Sequence, residues 1–214
     1  MSYRQIRNAC AEVGLDIFAS LHPATPNGFS TLLLLGPAEP GFWARITESP
    51  EFSEPDPVDR WSQRVIGKLA SEFGATALFP FGGPPYQPFI SWALESGHVW
   101  QSPVSLMIHP SAGLFVSFRG ALAFEERLTL PEPPPASPCE SCADKPCLAA
   151  CPAEALTSEG YDVPACHAWL DTNAGKSCMQ AGCLVRRSCP ASQTYGRLQQ
   201  QSAHHMQHFH KGTP

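Results

Sequence analysis

No apolar run follows the positive charges of Met1-Ser2-Tyr3-Arg4-Gln5-Ile6-Arg7, so this 214-residue chain opens without the pattern of a secretory leader. No stretch approaches the roughly 18 consecutive apolar residues that a membrane-spanning helix requires. A glycine-rich nucleotide motif is also missing. Phe81-Gly82-Gly83-Pro84-Pro85-Tyr86 reads as a turn rather than a phosphate cradle. Positive charge is scarce: 14 Lys and Arg against 19 Asp and Glu leave a net charge of −5, which argues against a nucleic-acid partner. The deficit is confined to residues 1–138, with 8 basic and 13 acidic side chains (8 − 13 = −5), while residues 139–214 carry 6 of each and are neutral. These absences predict a cytoplasmic chain with neither a membrane nor a nucleic acid as partner. In that compartment thiols stay reduced, so clustered cysteines point to metal or redox work.

Cysteine is what the chain has in one place. Eight of its nine cysteines fall between Cys139 and Cys189, as C-x2-C-x4-C-x3-C-P (Cys139, Cys142, Cys147, Cys151) and then C-x11-C-x4-C-x5-C-P (Cys166, Cys178, Cys183, Cys189). A disulfide scaffold is the alternative for so dense a set, but it belongs to secreted chains. Zinc is another alternative, because C-x2-C pairs also form zinc-ribbon hooks. Three features favour iron–sulfur chemistry over zinc. The spacings do not pair one C-x2-C with a second, both groups close on Cys-Pro, and eight thiolates are what two cubane [4Fe–4S] clusters need. In two-cluster ferredoxins the last cysteine of each run ligates the other cluster. The expected sets are therefore Cys139, Cys142, Cys147 with Cys189, and Cys166, Cys178, Cys183 with Cys151. Asp144-Lys145 lengthen the first run relative to the compact ferredoxin pattern, and the second run is longer at every step. A [3Fe–4S] form at one site stays open. Cys10 lies outside the pattern on an apolar helical face and reads as a small core residue.

Composition breaks at Pro131–Pro138, where five of eight residues are proline and the chain is stiff and extended. This segment predicts a division into residues 1–130, a linker over 131–138, a metal-binding domain over 139–197 and a polar tail over 198–214. In the first part, helices are expected over residues 2–13 and from Asp56-Pro57 through Phe73. Strands are expected at Leu15–Leu21, Thr31–Leu35, Ala75–Phe79 and Ala121–Phe124. Val104–Ile108 and Leu114–Phe118 read as a hairpin joined by His109–Gly113. The fold class is α+β, with a mixed sheet. After the linker, helices are expected at Pro146–Ala155 and Ala165–Asp171. Too few large apolar side chains remain there to form a core without metal. The tail, with His204, His205, His208 and His210, reads as solvated.

The motifs Cys-Glu-Ser-Cys, Cys-Leu-Ala-Ala-Cys-Pro-Ala-Glu-Ala-Leu and the later Cys-Pro make residues 139–190 resemble the ferredoxin-like domain of epoxyqueuosine reductase and reductive dehalogenases. In those cobalamin-dependent enzymes two [4Fe–4S] clusters feed electrons to the corrinoid. Asp56-Pro57-Val58-Asp59, together with the block from Met107 through His109-Pro110-Ser111-Ala112-Gly113 to Arg119-Gly120, is similar to the vitamin B12-processing (CblC-type) family. That resemblance implies a nitroreductase-like fold that holds cobalamin and uses reduced flavin or glutathione. It places Arg119 at the cofactor pocket, where a guanidinium binds amide, phosphate or carboxylate groups. A surface ion pair is the competing role for Arg119. His109 is the second pocket candidate, against a structural role in its turn. His98 is a further histidine with no distinguishing pattern.

Two functions compete. One is a reductase whose two clusters pass single electrons to a corrinoid or a flavin such as FMN held by residues 1–130. The other is a non-enzymatic, ferredoxin-type carrier whose first domain is a degenerate cofactor fold that docks a redox partner protein. The sequence is silent on substrate, reduction potentials and oligomeric state.

Overall fold

The computed structural model describes residues 1–24 and 28–210. They divide into two compact units: Met1–Val99 with Ser117–Pro135, and Trp100–Val116 with the chain from Ala136 onward. In chain order the elements are α1 (Tyr3–Glu12), β1 (Leu15–Leu21), β2 (Thr31–Pro37), α2 (Phe42–Thr47), α3 (Pro57–Phe73), β3 (Thr76–Leu78) and α4 (Phe89–Glu95). A hairpin of β4 (Trp100–Gln101) and β5 (Met107–Ile108) precedes β6 (Gly120–Phe124). Then come β7 (Leu156–Thr157), β8 (Gly160–Tyr161), α5 (Val163–Leu170), α6 (Lys176–Ala181), α7 (Leu184–Ser188), α8 (Pro190–Gln193) and α9 (Gln199–Phe209).

The first unit is an α+β sheet domain. Its α1 starts in a capping box: Ser2 Oγ accepts from the Gln5 backbone N–H, and the Gln5 side chain accepts from that of Ser2. Ile6 and Cys10, one turn apart, are both fully buried. Burial pushes the Cys10 thiol up to about 12, so it is a neutral core group and not a nucleophile. Strand β2 has no polar face, because Leu32, Leu33, Leu34 and Leu35 are all at most 1% exposed; both sides of the sheet are covered. Leu33, Leu35, Leu122 and Phe124 pack with Ile46, Trp61 and Ile66 in one apolar cluster. Removing one such leucine side chain costs about 2–5 kcal/mol.

The strand order is β1-β2-β6-β3, and every neighbouring pair is antiparallel. The expected mixed sheet is thus corrected to an antiparallel one. Strands β2 and β3 do run in the same direction, joined through α2 and α3 as a crossover would be. Strand β6 occupies the slot between them and runs against both. Alternating helix and strand patterns foretell the crossover but not the strand that later fills its gap.

The second unit is built from short pieces. Beyond the hairpin of β4 and β5 and that of β7 and β8 it is helical and irregular. Its apolar clusters count cysteines among their members: Cys147 and Cys189 are buried with Val104, Ile108, Leu114, Leu156 and Val185. Leu114–Phe118 is not the strand expected from its composition. The unit boundary cuts this apolar run after Val116, so its two parts are buried in different places. Leu114 lies among the cysteines, whereas Phe118 sits 6.1 Å, ring to ring, from Phe89 in the first unit. Over Pro146–Ala155, only Pro146–Leu148 is helical, as one 3-10 turn.

The expected boundary over 131–138 coincides with the break between Pro135 and Ala136, but residues 100–116 group with the cysteines and not with the first unit. The tail over 198–214 is also different from its expectation. Residues 199–209 form α9, which packs on α6 and buries Gln201, Ser202 and Met206. The approach is close enough that a Cβ on Gly182, whose φ is +88°, would stand 2.8 Å from Ser202 Cβ. The last four residues of that tail lie outside the described region.

Candidate metal centre

All nine cysteines are free thiols. Local turns deliver Cys139, Cys142, Cys147 and Cys189 to one place. Lys145, in the left-handed region at φ 39°, turns the chain into the 3-10 segment that carries Cys147. The Cys139 N–H donates to Ser137 Oγ at 3.2 Å. Cys189 stands between α7 and α8, where its carbonyl accepts from the N–H groups of Ser192 and Gln193. Cys139, Cys142, Cys147 and Cys189 all line one narrow cavity, together with Ser102, Ile108, Leu114 and Lys145. Burial raises the Cys139 thiol pKa, with neighbouring Cys189 and Cys142 adding to it and a Ser137 hydrogen bond and Lys145 opposing it. Cys147 is raised in the same way, by burial first and then by Cys139, Cys189 and Cys142. Burial and neighbouring thiols together disfavour the ionised forms of Cys139 and Cys147.

The remaining cysteines form a second neighbourhood. Cys166 lies in α5, whose start is capped by Asp162 accepting from the Ala165 N–H at 2.9 Å. Burial raises the Cys166 thiol, and Cys183, Cys151 and Cys178 reinforce that rise, against a hydrogen bond from Tyr161. The Tyr161 hydroxyl donates to Cys166 Sγ at 3.3 Å, and the Ala155 N–H donates to Cys151 Sγ at 3.3 Å. Burial raises Cys183, while the backbone and positive charge of Arg186 oppose the rise. Arg186 is itself part-buried, and its Nη1 donates to the Leu114 carbonyl. Cys189 thus lines a cavity with Cys139, Cys142 and Cys147, while Cys151, Cys178 and Cys183 are the charge neighbours of Cys166; Cys151 and Cys183 also pack against the cluster that holds Cys147 and Cys189.

Among the described residues no group of three or more His, Cys, Asp or Glu side chains is close enough to hold a single metal ion. A tetrahedral zinc with Zn–S of about 2.3 Å needs its sulfurs roughly 3.8 Å apart. A cubane spreads its thiolates farther, because each binds its own iron at a different corner. Cys139, Cys142, Cys147 and Cys189 stand around the walls of one cavity. Ser102 adds an independent sign. This side chain is 6% exposed, lines the cavity, and its hydroxyl has no hydrogen-bond partner. Buried hydroxyls are ordinarily satisfied, and an orphan facing a thiol-lined cavity fits an acceptor such as cluster sulfur.

The two candidates for an organic cofactor fall in separate units. In the first unit, Arg119 Nη1 pairs with Asp59 Oδ1 at 3.3 Å and its Nε donates to the Phe118 carbonyl at 3.0 Å. Asp59 lies in the first turn of α3, so the segments of residues 56–59 and 107–120 meet in this ion pair. Burial lowers the guanidinium pKa and Asp59 opposes that. In the second unit, His109 Nδ1 accepts from the backbone N–H groups of Ser111 and Ala112, both at 3.3 Å, which holds a tight turn. Gly113, paired with His109 and at φ +55°, has no room for a side chain: a Cβ would stand 2.3 Å from the Ser192 backbone nitrogen. The Leu114 N–H donates to Ser192 Oγ at 2.8 Å. The block from His109 to Leu114 therefore fastens the helix that follows Cys189.

An open cavity of about 600 Å³ in the first unit is lined by His22, Glu95, His98, Arg127 and the segment from Leu128 to Pro133. Arg119 is outside its walls. Burial lowers the His98 pKa, and its Nδ1 lies 3.0 Å from the Ser96 carbonyl. The cavity has the volume of a small-molecule site but not the apolar, aromatic walls that a flavin or corrin ring would favour.

Sequence reasoning missed Ser102, Tyr161 and the whole 100–116 segment as parts of the cysteine-bearing unit. A single signal for the last was available in Gly113, whose position inside an apolar run marks a close backbone approach. No helix among the described residues is long and apolar enough to cross a membrane. No protein-family model, curated protein or solved structure significantly matches the chain.

Proposed function

We propose that the protein is an iron–sulfur electron-transfer protein of the cytoplasm that holds two [4Fe–4S] clusters and delivers single electrons to an acceptor. The observation that carries this reading is the convergence of Cys139, Cys142, Cys147 and the distant Cys189 on one cavity. The chain's own part is to supply thiolates, to exclude water with Val104, Ile108 and Leu114, and to present hydrogen-bond donors to sulfur. When bound, the clusters supply one-electron chemistry.

Iron and sulfide analysis of anaerobically purified protein tests the reading. About eight of each per chain is expected. Stoichiometric zinc with neither iron nor sulfide would overturn it. The crossed arrangement has its own signature. Cys189→Ser and Cys142→Ser are expected to remove the same cluster, leaving identical residual spectra, while Cys151→Ser removes the other. Like spectra for Cys189→Ser and Cys183→Ser would instead indicate two uncrossed sites.

The acceptor separates two forms of this function. The resemblance of residues 56–59 and 107–120 to the B12-processing family supports a reductase that passes electrons to a corrinoid or to FMN. The local engagement of Arg119 by Asp59 and of His109 by its own turn favours the carrier, which docks a partner protein instead. Titration with hydroxocobalamin and with FMN decides: a saturable spectral change with either supports the reductase, and none with both supports the carrier.

A further inference from the structure

The second cysteine neighbourhood carries a side-chain hydrogen bond to one of its own sulfurs, from Tyr161. Its position is fixed from two sides. Strand β8 pairs Tyr161 with Leu156, which is 5% exposed and part of the apolar cluster around the cysteines. The phenol ring stacks on Phe209 of α9, with centroids 6.1 Å apart and planes within 15°. Phe209 in turn meets the ring of His167 edge-on at 4.8 Å, and His167 follows Cys166 directly in α5. Met206, one turn earlier on α9, is buried against Leu170 and Cys178. Helix α9 therefore contributes no thiol yet braces both the hydroxyl that reaches Cys166 and the helices that carry Cys166 and Cys178.

We propose that Tyr161 tunes the reduction potential of the cluster held by Cys151, Cys166, Cys178 and Cys183, and that α9 keeps it in place through Phe209. This rests on the iron–sulfur reading above. The physical reason is charge. Adding an electron makes the cluster and its thiolates more negative, and a hydroxyl donating to a thiolate stabilises the more negative state. The potential of that cluster is thereby raised. The Tyr161 hydroxyl donates to Cys166, so the expected effect falls on the cluster that Cys166 would help to hold.

The test is an anaerobic redox titration of the full chain, followed by visible absorbance and by electron paramagnetic resonance. Tyr161→Phe keeps the ring and its stacking and removes only the hydroxyl. It is expected to lower the potential of one cluster, leave the other in place, and leave iron and sulfide content unchanged. Phe209→Ala, which keeps the hydroxyl but frees the ring, is expected to move the same cluster in the same direction by less. A fully loaded Tyr161→Phe chain with both potentials unshifted overturns the proposal and leaves the iron–sulfur reading standing. If Tyr161→Phe does not load, an unshifted Phe209→Ala chain overturns it. Absence of iron and sulfide from the wild-type chain removes the premise and the proposal together.

Discussion

Leu33 and Cys147 hold comparable places, each among the buried residues of its own unit, and they stabilise by different means. Leu33 lies in a cluster of leucine, isoleucine, phenylalanine and tryptophan that spans three helices and the sheet, so burial of apolar surface alone suffices. Cys147 lies in a cluster whose buried members are two valines, two leucines, an isoleucine and two cysteines, with Trp100, Leu106 and further cysteines packed against it half-buried. Thiols bury little area and repel one another when ionised. The first unit is expected to fold by the hydrophobic effect and the second by ligand binding, which is folding free energy of another origin.

Metal removal should break the comparison most visibly. After anaerobic chelation, amide hydrogen exchange is expected to accelerate throughout residues 100–116 and 136–210. The strands β1, β2 and β6 should keep their protection. Undiminished protection around Cys147 would mean that the second unit has a sufficient core of its own. The reciprocal experiment has a smaller effect. Leu33→Ala should cost the first unit about 2–5 kcal/mol in denaturant unfolding, without changing the iron content of the folded fraction.

A third effect, smaller again, is pH-dependent and has opposite sign in the two metal states. In the metal-free chain, where the first unit keeps its core, burial holds the Cys10 thiol pKa above the ordinary thiol value. The unfolded chain then releases this proton first, near pH 8.5 or so. Stability is full below that pH and falls as the pH climbs toward the raised value, up to about 12. In the loaded chain the cluster thiols are already thiolates, and acid releases iron by protonating them. Thermal melts of both forms across pH check this. A metal-free chain whose melting point does not fall in mild alkali would contradict it.

What could be read in advance follows how local each cause is. That the cysteines would gather in one part of the chain was legible, because their spacing is a short-range property of the sequence. The capped α1 and the apolar β2 were legible for the same reason, as period and punctuation within one segment. The membership of residues 100–116 was not. It is decided by contacts such as Leu114 N–H to Ser192 Oγ, between residues 78 apart in sequence. The helix α9 was hidden because its glutamines and histidines look solvated, and only Gly182 on the facing chain lets Ser202 come close. The sheet direction was misread for a related reason: β6 arrives late and takes the slot that β2 and β3 leave.

The second unit takes its chain from both sides of β6, an interior strand of the first unit's sheet. The proline-rich stretch that looks like a seam is therefore not a place where the molecule comes apart into modules. Severing the gene there would yield a cysteine fragment without Val104, Ile108 and Leu114, and a sheet fragment with those side chains left uncovered. Recombination at that point would therefore not transplant the second unit whole, because part of its chain is spelled out before β6.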